Sequence, residues 1–243
     1  MFVEGEEFIP GEIILPQVDG RPFFGWGAYW QDFSEAEARF YGSVVRGEGP
    51  PLVGIQPGHW RVSEVPEELE GLKRNGSGAA GGGMTEAATV LEISRRVQAL
   101  LEAEGVVADL LPATIPPDYF ADAFVSVHAD GSASPSVSGF KISGPRRDFS
   151  GHADALVAAL YESYGEETGM RRDQNVTRRM SSYYAFNFIR YEHALHPLVP
   201  AAIFETGFMT NAGDRKILVD NPQIAARGIA SGILEFLRIR ELL

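Results

Sequence analysis

The sequence predicts a single α/β domain built on a mostly parallel, twisted sheet. Three short apolar runs carry this prediction, at residues 51–55, 123–127 and 201–204. Near-continuous apolar runs of about four to eight residues are typical of strands that are covered on both faces. Helical patterns lie between the runs, and this alternation favours parallel strands with helices packed against the sheet.

Each apolar run ends on a polar side chain that can bind a metal or carry a proton. His59 follows the first run, His128 follows the second, and Glu205 ends the third. In parallel α/β sheets, ligands bind beyond the carboxyl ends of the strands. We therefore expect these three side chains to converge at one edge of the sheet.

A strong helix is predicted between the first two strands. Thr85 is its expected N-cap and Gly105 its stop, and an apolar stripe runs between them from Val90. Glu86 stands four residues before Val90, which places its carboxylate on the buried side of the first turn. Favourable interaction with the helix dipole is one explanation of this acid. The other is a buried partner such as a metal ion, because an unpaired buried carboxylate is very costly.

The rest of the chain yields fewer elements. Residues 139–143 predict a strand, and a helix is expected around residues 152–168 with Gly169 as its stop. Asn221 and Pro222 predict the start of a last helix that covers the sheet. Residues 112–118 contain three prolines and are expected to form a loop.

Residues 1–50 are interpreted as an N-terminal extension that packs on the main domain at 51–243. Ser34 and Glu37 form a capping-box pattern, which predicts a helix over about residues 35–46. Aromatic residues concentrate between Phe23 and Trp30. Core packing is the favoured explanation of these aromatic side chains, with stacking on a sugar as the alternative.

The composition of residues 56–83 is polar and acidic, and the segment ends in a glycine-rich stretch at 76–83. Such a segment is expected to be flexible and to become ordered on binding. It lacks the lysine of a phosphate-binding loop. A plain surface loop and a mobile lid over the site remain equal alternatives.

Composition restricts the partners. The 243 residues contain 21 Lys and Arg against 33 Asp and Glu, a net charge of -12 that disfavours nucleic acid and anionic membranes. The absence of cysteine excludes thiolate metal sites, so any metal must be held by histidine and carboxylate. No apolar run approaches the roughly 18 residues of a membrane span, and the first residues lack the features of a signal peptide. We therefore expect no membrane span and no visible export signal.

These candidates form a chemically complete set. His59, Glu86 and His128 supply two imidazoles and one carboxylate, as catalytic zinc commonly requires. Glu205 is then the candidate general acid and base, which takes a proton from the water that the metal activates and passes it to a leaving amine. The set is suited to metal-assisted hydrolysis of an amide. Neither an HExxH helix nor a GxSxG elbow is present.

Four motifs resemble the zinc-dependent N-acetylmuramoyl-L-alanine amidases of the Amidase_3 type. The family's D-P-G-H-G-G, helix-opening glutamate, S-I-H-A-N and E-x-G-F-L-x-N motifs are similar, in order, to residues 56–59, 86–93, 126–130 and 205–211. The resemblance implies a sheet of about six strands, one zinc ion bound by His59, Glu86 and His128, and Glu205 as the catalytic acid and base. The implied substrate is peptidoglycan or its soluble muropeptides, cleaved between N-acetylmuramic acid and L-alanine.

The resemblance also implies action at the cell wall or outside the cytoplasm, and it leaves the oligomeric state open. Three departures concern substrate detail more than metal binding: Gln56 replaces an aspartate, Trp60 and Arg61 replace glycines, and the insertion before Glu86 is long.

Alternatives and unassigned residues remain. A metal-free glycosidase using Glu86 and Glu205 leaves the two histidines without a role. A wall-binding module without activity is the non-enzymatic alternative. Four arginines between residues 171 and 179 are expected on a solvated surface, although they are also suited to substrate carboxylates. His196 is expected on the surface.

Overall fold

The computed structural model describes residues 49–243 and two short strands nearer the N-terminus. These strands, β1 (Gln17–Val18) and β2 (Arg21–Pro22), pair antiparallel. The helix predicted over residues 35–46 and the aromatic cluster lie outside the described residues. The packing of residues 1–50 on the main domain therefore stays a prediction.

A five-stranded sheet forms the centre of the unit Glu48–Leu243. Its strands are β3 (Leu52–Pro57), β6 (Val107–Leu110), β7 (Ala123–Asp130), β8 (Lys141–Ser143) and β9 (Ala201–Phe208). They lie in the order β6-β3-β7-β9-β8. The first four are parallel, and β8 pairs antiparallel with β9 at one edge.

The predicted α/β domain with a mostly parallel, helix-flanked sheet is confirmed, and in the described residues the central sheet has five strands where about six were expected. Residues 112–118, with three prolines, form a loop as predicted and cannot extend the hydrogen-bond ladder. Two further short strands, β4 (Ala80–Gly81) and β5 (Met84–Thr85), pair with each other in a separate two-stranded sheet.

The described helices are α1 (Glu86–Ala103), α2 (Ala153–Thr168), α3 (Arg178–Ser181), α4 (Ala212–Leu218) and α5 (Pro222–Ile239). Three of them, α1, α2 and α5, begin and end close to the predicted residues, and α3 and α4 were not predicted. Thr85 caps α1 by accepting a hydrogen bond from the Ala88 amide at 3.3 Å. Gly169 ends α2 in the left-handed conformation, and Pro222 opens α5. Short 3₁₀ helices occupy Val62–Glu64, Glu67–Asn75 and Tyr184–Phe186.

The sheet lies between two apolar clusters, and the polar residues 126, 128 and 205 point to one side of it. Val53, Val125 and Phe204 belong to the cluster that contains the apolar faces of α1, α2 and α5. Phe124 and Ala201 belong to the other cluster, which is built from loops and 3₁₀ segments. Because successive side chains point to opposite faces, residues 126, 128 and 205 share the face of this second cluster. None of the described helices is long and apolar enough to cross a membrane.

Candidate metal centre and active site

The structure brings the three predicted ligands together. His59 lies just beyond the end of β3, Glu86 is the first residue of α1, and His128 lies near the end of β7. Each side chain offers one potential ligand atom, and the three atoms all lie within 4.8 Å of one another. The predicted convergence of a strand end, a helix start and a second strand end is therefore present.

His59 presents one defined nitrogen to the cluster. Its backbone adopts the left-handed conformation with φ 61. The imidazole Nδ1 lies 3.0 Å from the carbonyl oxygen of Gly76. Because a carbonyl only accepts, Nδ1 carries the proton and Nε2 is the free nitrogen, 3.5 Å from Glu86 Oε1. Burial lowers the pKa of His59 and favours the neutral imidazole that metal binding requires.

Glu86 is a buried carboxylate with a partner at each oxygen. Oε1 lies 2.8 Å from His128 Nδ1 and accepts a hydrogen bond from the Ala129 amide at 3.2 Å. Oε2 accepts one from the Ala79 amide at 2.9 Å. Burial by itself raises the pKa of Glu86, but the hydrogen bond and charge of His128 outweigh it and lower the pKa overall. The side chain is therefore ionised at neutral pH.

The second nitrogen of His128 points into a hydrogen-bonded chain. Nε2 lies 3.5 Å from the Tyr183 hydroxyl, which donates to Gln56 Oε1 at 2.9 Å. The Ser126 hydroxyl donates to the same Gln56 oxygen at 2.9 Å. Outer partners of this kind fix the orientation of a ligating imidazole. Nδ1 is left as the nitrogen that faces Glu86.

The same network gives a physical reason for an amide at position 56. Gln56 Nε2 donates to the Pro112 carbonyl at 3.1 Å and to the Tyr184 hydroxyl at 2.7 Å. The Pro112 carbonyl accepts only, so this position needs a donor that an ionised aspartate lacks. Sequence reasoning missed Tyr183 and Tyr184, because two tyrosines in an aperiodic segment give no pattern that points to the site.

Glu205 faces the cluster from the neighbouring strand. It pairs in register with His128 of β7 and with Lys141 of β8. Its Oε2 is buried and has no hydrogen-bond partner among the described residues. Burial raises the pKa of Glu205 to about 7, although the nearby His128 acts in the opposite direction. A carboxyl group of this kind exchanges a proton readily near neutral pH.

Lys141, on the far side of Glu205, is held by two other acids. Its Nζ lies 2.7 Å from Asp130 Oδ2 and 2.9 Å from Asp173 Oδ2. This pairing satisfies the buried ammonium without using Glu205. The sequence offered no sign of it, because the partners come from three separate segments.

The glycine-rich segment forms part of the wall of the site. A Cβ atom at Gly78 would lie 2.1 Å from Glu86 Oε2 and 2.8 Å from His59 Cδ2. The Glu86 amide also donates to the Ala79 carbonyl at 2.7 Å. The segment therefore supports two of the three candidate ligands and is more than a plain connector. Movement of the segment as a lid stays a prediction.

The remaining histidines do not join the cluster. His196 is buried, with 5% of its surface exposed, so its expected surface position is wrong. It accepts a hydrogen bond from the Leu198 amide at 3.2 Å, and burial lowers its pKa to about 4. His193 Nδ1 lies 2.7 Å from Glu68 Oε1.

This fold and this site define an α/β protein with a candidate metal centre at the carboxyl edge of its sheet. Residues 53–235 match the family model Amidase_3, described as N-acetylmuramoyl-L-alanine amidase. The match covers well over half of the chain, and the chain therefore belongs to this family of peptidoglycan amidases.

Comparisons with solved structures agree with the fold. N-acetylmuramoyl-L-alanine amidase AmiC2 of Nostoc punctiforme shares 27% identity, with a TM-score of 0.57 over 79% of this chain and 99% of that one. Ami1 from Mycobacterium smegmatis shares 21% identity, with a TM-score of 0.55 over 79% and 98%. The catalytic domain of CwlV from Bacillus (Paenibacillus) polymyxa var. colistinus shares 22%, with a TM-score of 0.52 over 78% and 99%. The last two show similarity of fold alone. A sequence search of curated proteins gave no significant match.

Proposed function

We propose that this protein hydrolyses, with zinc, the amide bond between N-acetylmuramic acid and L-alanine in peptidoglycan or its muropeptides. One observation carries the proposal: three potential ligand atoms lie within 4.8 Å of one another beside a carboxyl group whose buried oxygen has no partner in the described chain. Membership of the amidase family supports the choice of bond.

The donor set fits zinc. Two imidazoles and one carboxylate are a common ligand set of catalytic zinc, which leaves a further position open. His59 Nε2, His128 Nδ1 and Glu86 Oε1 are the atoms that would hold the ion. Zinc bound there would polarise the scissile carbonyl as a Lewis acid and make water nucleophilic at neutral pH.

Glu205 supplies the proton transfers in this proposal. Its carboxylate takes a proton from the attacking water as the new C–O bond forms. It then gives that proton to the alanine nitrogen as the C–N bond breaks, which releases a lactyl carboxylate and a free amine. A pKa of about 7 suits both steps, because the group is then neither too weak a base nor too weak an acid.

Family membership also supports action at the cell wall. A net charge of -12 is compatible with a polysaccharide and peptide substrate and unfavourable for nucleic acid. The metal-free glycosidase has a specific difficulty, because it gives no role to His59 and His128, whose imidazoles lie beside the Glu86 carboxylate.

Mass spectrometry of digested peptidoglycan and of a purified muropeptide tests the proposal. We expect a new alanine amine and no new reducing sugar end. Chelation should abolish product formation and added zinc should restore it. A new reducing end would indicate a glycosidase, binding without any product would indicate a wall-binding module, and full activity in metal-stripped protein would contradict the zinc mechanism.

A further inference from the structure

We propose that Arg215 is a positioning residue that pins the β4–β5 hairpin to the turn after β9 and thereby fixes Glu86 relative to Glu205. This inference rests on the proposed function and deepens it, because Glu86 is the proposed zinc ligand and Glu205 the proposed acid and base.

The hairpin, residues 80–85, depends on outside contacts for its position. Three of its six residues are glycine, and its one large apolar side chain, Met84, is exposed. It therefore buries little apolar surface of its own. Gly82 and Gly83 are the central residues of its turn, with φ angles of 62 and 80. Positive φ at both positions is typical of tight hairpin turns and favours glycine.

Arg215, in α4, contacts the hairpin and the turn after β9 at the same point. Its Nη1 donates a hydrogen bond to the Met209 carbonyl at 2.7 Å. A Cβ atom at Gly82 would lie 2.9 Å from Arg215 Nε, so the guanidinium fills the space beside the tip of the hairpin. A Cβ atom at Gly81 would overlap with the same Met209 oxygen and lie 3.1 Å from Arg215 Nη1. The backbone of the hairpin therefore packs directly against the carbonyl group that Arg215 binds.

The position of the hairpin is passed directly to Glu86. Thr85 is both the last residue of β5 and the N-cap of α1, and Glu86 is the next residue. On the other side of the hairpin, the Ala79 amide donates to Glu86 Oε2 at 2.9 Å, and the Ala79 carbonyl accepts a hydrogen bond from the Glu86 amide at 2.7 Å. A displacement of the hairpin would therefore move both the backbone and the carboxylate of Glu86.

The turn after β9 is tied to the two strands that carry Glu205 and His128. Met209 follows the end of β9, the strand of Glu205. The Met209 amide donates to the Asp130 carbonyl at 2.8 Å, at the end of the β7 strand that contains His128. One guanidinium thus links the segment before α1 to the ends of both strands. Because reacting groups and metal ligands tolerate displacements of only about 0.5 Å, loss of this link should weaken metal binding.

Zinc titration and amide hydrogen exchange of the full chain test the inference without substrate. Zinc affinity is measured by competition with a chelator, and exchange is measured by NMR in metal-free protein. Arg215→Met keeps an unbranched side chain and removes the donors and the planar charged group. Lys216→Met is the matched control, because Lys216 is the next residue of α4, is exposed, and loses the same charge. Arg215→Lys returns a donor to the position without the planar guanidinium.

Arg215→Met should bind zinc about tenfold more weakly, at the lower end of the range for lost support of a ligand. The amides of Ala79 and Glu86 should exchange about tenfold faster, whereas those of the central strand β7 should not change. Arg215→Lys should recover part of both losses, and Lys216→Met should match the wild type. Unchanged zinc affinity and exchange in Arg215→Met, or an equal acceleration of exchange in β7, would overturn the inference.

Failure of the proposed function would look different. A wild type that binds zinc yet releases no alanine amine would contradict the proposed function and leave the inference standing, because neither measurement uses substrate. If the wild type binds no zinc, the proposed function fails, and hydrogen exchange at Ala79 and Glu86 alone decides the inference.

Discussion

Glu86 and Glu205 are two carboxyl groups beside the candidate metal centre, and their surroundings are opposite. Glu86 has His128 and the Ala129 amide at one oxygen and the Ala79 amide at the other. Glu205 leaves one buried oxygen without a partner in the described residues. The pKa of Glu86 is lowered, whereas burial raises the pKa of Glu205 to about 7.

The difference shows how the same side chain acquires two roles. Burial opposes ionisation of both groups, and the number of donors decides the outcome. An ionised, fixed carboxylate such as Glu86 is suited to hold a cation. A carboxyl group that titrates near neutral pH, such as Glu205, is suited to carry a proton.

The largest effect is expected from removal of an imidazole. His59→Ala and His128→Ala each delete one of the three proposed protein ligands, so both should lose zinc and fall to background activity. Metal analysis after dialysis measures this directly. His193→Ala is the matched control, because His193 pairs with Glu68 outside the cluster. Retention of one zinc per chain by either ligand variant would assign that residue another role.

Glycine substitutions test how the wall holds Glu86. Gly78 and Gly83 have similar positive φ angles, 77 and 80, so alanine strains the backbone at both. Only at Gly78 would the new Cβ meet the Glu86 carboxylate, whereas nothing lies within 4 Å at Gly83. Gly78→Ala should weaken zinc binding by about 10–100-fold, the range for lost support of a ligand. Zinc titration should show little change for Gly83→Ala, and equal losses would mean that strain alone is responsible.

A smaller effect is expected on stability in metal-free protein. The folded pKa of Glu205 is raised from 4.5 to about 7. Its contribution to stability is therefore complete below the unfolded pKa and is lost as pH rises through the folded value. The Glu205→Gln variant has no carboxyl group to titrate at this position and does not show this loss. The free energy of unfolding of the variant minus that of the wild type should therefore increase by about 1–3 kcal/mol as the pH rises from about 4 to about 8.

Urea unfolding at several pH values measures this difference. A difference that does not change with pH would mean that the Glu205 carboxyl group keeps an ordinary pKa in the folded protein.

The sequence was most informative where side-chain chemistry followed a regular element. The apolar runs located His59, His128 and Glu205 at strand ends, and the cap at Thr85 located Glu86 at the start of a buried helix face. The Tyr183 and Gln56 network was not predictable, because its members come from a strand and an aperiodic loop far apart in the chain. The same limit applies to His196, whose burial depends on tertiary contacts. The packing of Gly78 against Glu86 depends on a loop conformation that composition describes only as flexible.

Paired glutamine substitutions test the central claim, that Glu86 holds the metal and Glu205 carries the proton. Each replacement keeps the size of the side chain and removes its charge. Glu205→Gln should retain one zinc per chain while turnover falls by roughly 10² to 10⁴, the usual range for loss of a general acid and base. Glu86→Gln should lose zinc at the same free metal concentration. The account would be contradicted if Glu205→Gln released zinc as readily as Glu86→Gln, or if it kept near-normal turnover.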